Sequence, residues 1–162
     1  MSTLKPHLLT QEGLDKLTEE LQYLSTVKRE EVAERLQNAF DDGQDDDFVE
    51  NAGLEAARNE QAFLEGRIQE LEDILKNYKL IDAAITGGND TVRVGNWVTV
   101  SEEGFEDDEK YHLVGAAEAN PQEGRISNES PLGKALLGAK INDLVRVNAP
   151  NGVIEFRVMK IE

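Results

Sequence analysis

Leu14, Leu17, Leu21 and Leu24 recur three, four and three residues apart. That spacing holds them on one stripe of a helix, the seam of a coiled coil. The stretch from Gln11 to Phe40 contains no proline. Val32, Leu36 and Ala39 continue the stripe after a phase shift near Lys28. A second seam from Glu50 to Tyr78 runs through Leu54, Ala57, Leu64, Ile68, Leu71, Leu75 and Tyr78. Each segment covers about 30 residues, so each helix is roughly 45 Å long. Equal lengths and a short connection predict an antiparallel pair. Neither seam has a further apolar face, so a protruding hairpin is expected.

The periodicity changes after Asp82. Thr86-Gly87-Gly88-Asn89-Asp90 has linker chemistry. Beyond it the period falls to two, with Val94, Val98 and Val100 alternating with polar residues around Trp97. Lys110–Val114 predicts another strand. Leu144–Val147 and Val153–Val158 flank Ala149-Pro150-Asn151-Gly152, a hairpin signal. Ser130-Pro131 starts a short helix that Gly138 stops. The fold class is α+β: an N-terminal antiparallel coiled-coil hairpin over 1–82, a linker over 83–90, and a small antiparallel β-sheet domain with one short helix over 91–162. Trp97, Tyr111 and Phe156 are assigned to that domain's core.

Charge narrows the functions available. The chain has 162 residues, with 17 Lys+Arg against 33 Asp+Glu and a formal net charge of -16. Phosphate neutralisation needs a basic surface, so this protein is a poor general binder of nucleic acid. There is no cysteine, hence no disulfide and no thiolate metal site. No apolar run approaches the roughly 20 residues that cross a bilayer. No membrane association and a cytoplasmic location are expected. His7 and His112 have no metal-ligand spacing.

The acids concentrate at the expected tip, 41–50. No positive charge lies between Arg35 and Arg58, while Asp41, Asp42, Asp45, Asp46, Asp47 and Glu50 fall in that gap. Asp47 and Glu50 fit a capping box for the second helix, with Asp47 as N-cap. Asp41 and Asp42 do not fit so simply, because the C-terminal end of a helix dipole disfavours anions. Mg²⁺ is held by one or two protein carboxylates, with water and phosphate completing its octahedron. The cluster therefore reads either as a helix start or as half of a metal site that another molecule completes.

Thr26-Val27-Lys28-Arg29, Asp47-Phe48-Val49-Glu50-Asn51-Ala52, Ala56-Ala57-Arg58-Asn59-Glu60-Gln61 and Glu65-Gly66-Arg67-Ile68 resemble the Gre transcript-cleavage factors of bacteria. Glu118-Ala119-Asn120-Pro121, Ile126-Ser127 and Ser130–Gly138 resemble that family's second domain. The resemblance implies a monomer whose coiled coil enters the secondary channel of RNA polymerase, with an FKBP-like C-terminal domain docking at the channel rim through Ser130, Pro131, Leu132 and Gly133. It implies an accessory factor, not an enzyme alone. Asp47 and Glu50 match the family's metal-assisting pair, with Asp45 and Asp46 as further ligands. Mg²⁺ would be shared with the polymerase and not bound tightly by this chain alone. Lys28, Arg29, Arg35, Arg58 and Arg67 are candidates for contact with polymerase or, through phosphate, with the backtracked RNA 3′ end; helix-face ion pairing is the alternative.

Two features depart from the family pattern. Gln44-Asp45-Asp46 looks like an insertion, and position 54, often aromatic in the family, is Leu54. Both bring the tip closer to inhibitory Gre homologues, so inhibition is the alternative to cleavage stimulation. The retained spacing of Asp47 and Glu50 favours stimulation. A peptidyl-prolyl isomerase needs an aromatic-lined pocket, for which residues 83–162 offer few aromatics beyond a core. A pure adaptor is the remaining rival.

Overall fold

In a computed structural model, the described residues are 4–42, 52–81 and 90–162. Contacts group them into two units, Met1–Leu14 with Asn77–Glu162, and Asp15–Lys76. The sequence division at 82 follows the chain, whereas the contacts place the N-terminal segment with the C-terminal residues.

The second unit is the helical hairpin. Its first arm is α1 (Gln11–Tyr23), a π-helical segment at Leu24–Lys28 and α2 (Arg29–Asp42); its second arm is α3 (Ala52–Lys76). The π segment accounts for the phase shift. After Leu24, a regular heptad places inward residues at 28, 31, 35 and 38. The chain instead turns Val32 inward, one residue late, and buries it with Leu64 and Ile68 against Leu21 and Leu24. A π turn is a one-residue insertion into an α-helix. Arg29 N–H reaches back to Leu24 O across it. Ser25 Oγ donates to Leu21 O (2.7 Å) and Thr26 Oγ1 to Gln22 O (2.6 Å), giving the widened turn's carbonyls extra donors.

The second seam ends earlier than its pattern suggested. Helix α3 stops at Lys76, with Ile74 buried and Leu75 only half-buried. Tyr78 is no seam residue. It lies exposed in β2 (Tyr78–Leu80), which pairs in parallel with β1 (His7–Leu9). Asn77 leaves the helix to accept His7 N–H at its carbonyl (2.9 Å) and to donate its side-chain amide to Leu4 O (3.1 Å).

The first unit is built on a five-stranded sheet of β3 (Trp97–Glu102), β4 (Asp108–Val114), β5 (Arg125–Ser127), β6 (Leu144–Ala149) and β7 (Gly152–Ile161) in the order β5-β4-β3-β7-β6. The expected hairpin is present, with Ala149 opposite Gly152. The expectation of a purely antiparallel sheet is corrected, because β5 runs parallel to β4. The connection from Gly115 to Gly124 makes two short 3-10 turns and returns the chain to the same edge. The short helix is α4 (Pro131–Leu136), capped by Ser130 Oγ accepting Gly133 N–H (3.0 Å). Gly138 takes a φ of 78° just beyond it. Leu136 joins Val98, Val100, Leu113, Phe156 and Val158 in the core.

Two sequence assignments change here. Val94 lies in a turn ahead of β3. Trp97 is 38% exposed and stacks on His112 at 4.5 Å, so it is not a core residue. Val98 and Val100 point inward, and a period of two therefore turns Trp97 outward.

The N-terminal segment is held to this domain at close range. A Cβ on Gly115 would lie 1.9 Å from Leu8 O, and one on Gly13 would lie 1.9 Å from Glu118 Oε1. Gly66, within α3, has nothing within 4 Å of a built Cβ. Gly115→Ala should lower stability by about 3 kcal/mol through forced overpacking against backbone. Gly66→Ala should raise it by about 0.5–1 kcal/mol through helix propensity. Thermal melts of the two variants beside the parent check both signs.

Candidate functional site

Helix α2 carries the chain to Asp41 and Asp42, both exposed, and α3 resumes at Ala52. Residues 43–51 connect the arms. Asp45, Asp46, Asp47 and Glu50, the proposed metal ligands, lie outside the described residues, as does most of the expected linker. Asp41 Oδ1 accepts the side-chain amide of Gln37, one turn earlier (3.0 Å). Among the described residues there is no group of three or more His, Asp or Glu side chains able to hold a metal ion.

Four of the five basic candidates are engaged within the hairpin. Arg29 forms a two-pronged pair with Glu65 (2.8 and 2.8 Å). Arg35 grips Glu60 in the same way (3.0 and 2.5 Å). Arg67 spans to Glu20 (2.8 and 3.0 Å) and also meets Glu70 (2.8 Å). Lys28 sits between Glu31 (3.5 Å) and Glu60 (3.6 Å). Antiparallel arms bring these partners together although they are far apart in sequence. Arg58 is exposed and, among the described residues, has no ion pair.

The arginine pairs shift the titration of their partners. The hydrogen bond from Arg35 holds the Glu60 carboxyl below its ordinary range, and that from Arg29 does the same for Glu65. The hydrogen bonds that Arg67 donates to Glu20 raise the pKa of its guanidinium further.

In the sheet domain, the four docking candidates separate. Pro131 is exposed, Ser130 and Leu132 are half-buried, and Gly133 is buried. A Cβ on Gly133 would fall 2.0 Å from Ser127 O, so this glycine serves close backbone packing. Ser130 Oγ also donates to Ser127 O (2.7 Å).

One charged cluster escaped the sequence reading. The Glu118 side chain is 1% exposed, and it accepts the Thr10 N–H (2.7 Å) and hydroxyl (2.6 Å) and Arg125 Nη2 (2.9 Å). Thr10 Oγ1 in turn accepts Gly13 N–H (3.0 Å), which caps the first turn of α1. Arg125 Nη1 lies 3.7 Å from Glu12. Thr10 and Glu118 are 108 residues apart, so the one available signal was Glu118-Ala119-Asn120-Pro121 as a motif. Burial pulls the His112 imidazole below its ordinary value, and it remains neutral at pH 7 beside Arg125.

The family description "Transcription elongation factor, N-terminal" matches residues 7–80, and "Transcription elongation factor, GreA/GreB, C-term" matches residues 87–162. The chain belongs to the GreA/GreB family of transcription elongation factors. Transcription elongation factor GreA of Acetivibrio thermocellus is 48% identical over 161 residues, covering 99% of each chain. GreA of Thermoanaerobacter pseudethanolicus is 49% identical over 157 residues, covering 97% of this chain and 98% of the relative. The crystal structure of GreA factor homolog 1 of Thermus thermophilus is 32% identical, covers 98% of this chain and 99% of the other, and superposes with a TM-score of 0.43. The GreA/GreB assignment thus extends over both parts of the chain, and the α+β expectation holds.

The ion pairs give a pH test of the hairpin. Glu60 and Glu65 have folded-state pKa values below their unfolded ones, so their contribution is present above the unfolded value, about 4.3. It is lost as pH falls through the lowered folded values. The melting temperature of the parent minus that of Glu60→Gln/Glu65→Gln should be positive at pH 6 and shrink towards zero as pH drops below 4. High salt should shrink it also, because these groups are exposed.

Proposed function

We propose that the protein is an RNA polymerase accessory factor that places its coiled coil in the polymerase secondary channel and stimulates cleavage of backtracked RNA. The observation that carries this reading is the family match over 7–80 and 87–162, with Asp47 and Glu50 in the segment that joins the two arms. Identities of 48 and 49% to proteins named transcription elongation factor GreA support an elongation role over an inhibitory one.

Asp47 and Glu50 are two hard oxygen donors, a set that suits Mg²⁺ when a partner supplies further ligands. When bound there, the ion lowers the pKa of coordinated water and neutralises charge on the phosphodiester. Asp47 and Glu50 hold and orient; the polymerase supplies the remaining carboxylates and the substrate. The C-terminal domain docks at the channel rim through the Ser130–Gly133 region, with Pro131 as its exposed member. The factor acts as a monomer in the cytoplasm.

Asp47→Asn tests the site. Asparagine caps a helix about as well as aspartate but lacks the anionic ligand. In a stalled, backtracked elongation complex, parent protein should accelerate Mg²⁺-dependent cleavage. The variant should lose that effect by about tenfold or more, at least the cost of a disturbed metal-supporting contact, with its melting temperature unchanged. Equal stimulation by both proteins would leave Asp47 only as a cap. Slowed nucleotide addition with blocked cleavage would establish the inhibitor instead.

A further inference from the structure

The two-stranded sheet of β1 and β2 leaves one edge open. His7 N–H reaches Asn77 O (2.9 Å) and Ile81 N–H reaches Leu9 O (2.7 Å). In a parallel ladder alternate residues bond to the partner strand, so residues 77, 79 and 81 face β1. Tyr78 and Leu80 therefore turn their N–H and C=O groups the other way. The far edge of β1 is closed, because a Cβ on Gly115 would fall 1.9 Å from Leu8 O. Apolar side chains flank the free edge of β2: Tyr78 is 41% and Leu80 43% exposed. Leu4, whose carbonyl accepts the Asn77 amide (3.1 Å), is 79% exposed beside them. We propose that β2 is a docking edge on which an acidic, extended segment of a partner protein adds as a third strand. This contact involves neither the residues joining the hairpin arms nor Ser130–Gly133, and it goes beyond the cleavage-factor reading.

Charge selects the occupant. The chain has a net charge of -16, yet residues 4–11 and 74–81 contain Lys5, Lys76 and Lys79 and no Asp or Glu. Lys76 is met by Glu72 (3.9 Å) and Asp73 (3.8 Å). Among the described residues, Lys5 and Lys79 have no ion pair. Two free ammonium groups at an open strand edge favour carboxylates, and opposite charge across an interface selects partners. A lysine on an edge also keeps identical edges from pairing, since β2 of a second copy would bring one Lys79 towards another. The open edge of β6 differs, because its one cation, Arg146, is already held by Glu155 (2.6 Å).

Strand addition suits this geometry. Backbone bonds to the edge supply affinity, and side chains at alternate positions supply specificity. Tyr78 and Leu80 lie on one face of β2 and Lys79 on the other, so the matching segment alternates apolar with acidic residues. An edge of three residues supports a weak, reversible contact, below the roughly 1,000 Å² of a stable interface.

The test uses full-length protein and a synthetic peptide alternating valine with glutamate, beside a control alternating valine with lysine. In calorimetric titration the glutamate peptide should bind, and the lysine peptide should bind at least about tenfold more weakly. Leu80→Pro removes one outward N–H and no bond to β1, a position where an edge strand tolerates proline. Its melting temperature should match the parent, while its affinity for the glutamate peptide should fall about fivefold or more, the loss of one backbone hydrogen bond. Lys5→Glu/Lys79→Glu should reverse the preference between the two peptides, and added salt should weaken binding to the parent. No binding of the glutamate peptide, equal binding of both peptides, or full binding by Leu80→Pro overturns the docking edge. Parent dimers that Leu80→Pro dissolves would put a second copy on the edge. A single-stranded oligonucleotide bound equally by parent and Leu80→Pro would assign the lysines to phosphate. Either result overturns the acidic segment.

Discussion

The hairpin depends on burying one narrow stripe between two helices. Among the described residues, one hydrophobic cluster along it has Val32, Leu64 and Ile68 at the centre and Leu21 and Leu24 beside them. Each fully buried aliphatic side chain contributes about 1.5–3 kcal/mol. Losing the register of even one turn would therefore cost several kcal/mol. The sequence does lose register, by one residue between Leu24 and Val32, and the π segment absorbs the slip locally. Without that widened turn the distal half of the first arm would present a face about 100° away, taking Val32 out of the seam. The slip also moves Lys28 off the stripe, where a regular heptad would have placed an ammonium, and sets it beside Glu31 and Glu60.

A second constraint operates where the N-terminal segment meets the sheet domain. A buried carboxylate is costly unless its oxygens are satisfied. Glu118 meets that condition through Thr10 and Arg125, and the absence of a Cβ at Gly13 lets the first turn of α1 approach it. Removing Arg125 would leave the Glu118 carboxylate buried without a charged partner, which costs about 3–5 kcal/mol. The cluster thus makes residues 4–14 part of the C-terminal unit in energetic terms, not merely by proximity.

The sequence revealed features with a period and concealed those that depend on distant pairing. Seam leucines, the phase shift, the Pro150-Asn151 turn and the Ser130 cap are local, so spacing alone discloses them. The parallel pairing of β1 with β2 involves three-residue strands some seventy positions apart, too short to show alternation. Tyr78 was drawn into the helical pattern because its spacing fits the seam, but Asn77 ends the helix through contacts with Leu4 and His7 that no periodicity records. Trp97 illustrates a different failure. Its size suggested a core position, while the alternation with Val98 and Val100 already placed it on the other face. Of the candidate site, the spacing of Asp47 and Glu50 was legible. The fate of the basic residues was not, because Arg29 meets Glu65 and Arg35 meets Glu60 only once the arms are folded together.

That fate bears on how an acidic protein can act beside nucleic acid. If the arginines and Lys28 projected freely, the hairpin would carry a basic stripe, and phosphate attraction would draw it to any exposed strand. Spending them on glutamates across the seam stabilises the pair of arms and removes that attraction at once. What remains outside is mostly acid, which repels nucleic acid over a Debye length of roughly 8–10 Å at ordinary salt. An acidic surface of this kind therefore reaches nucleic acid by way of another protein.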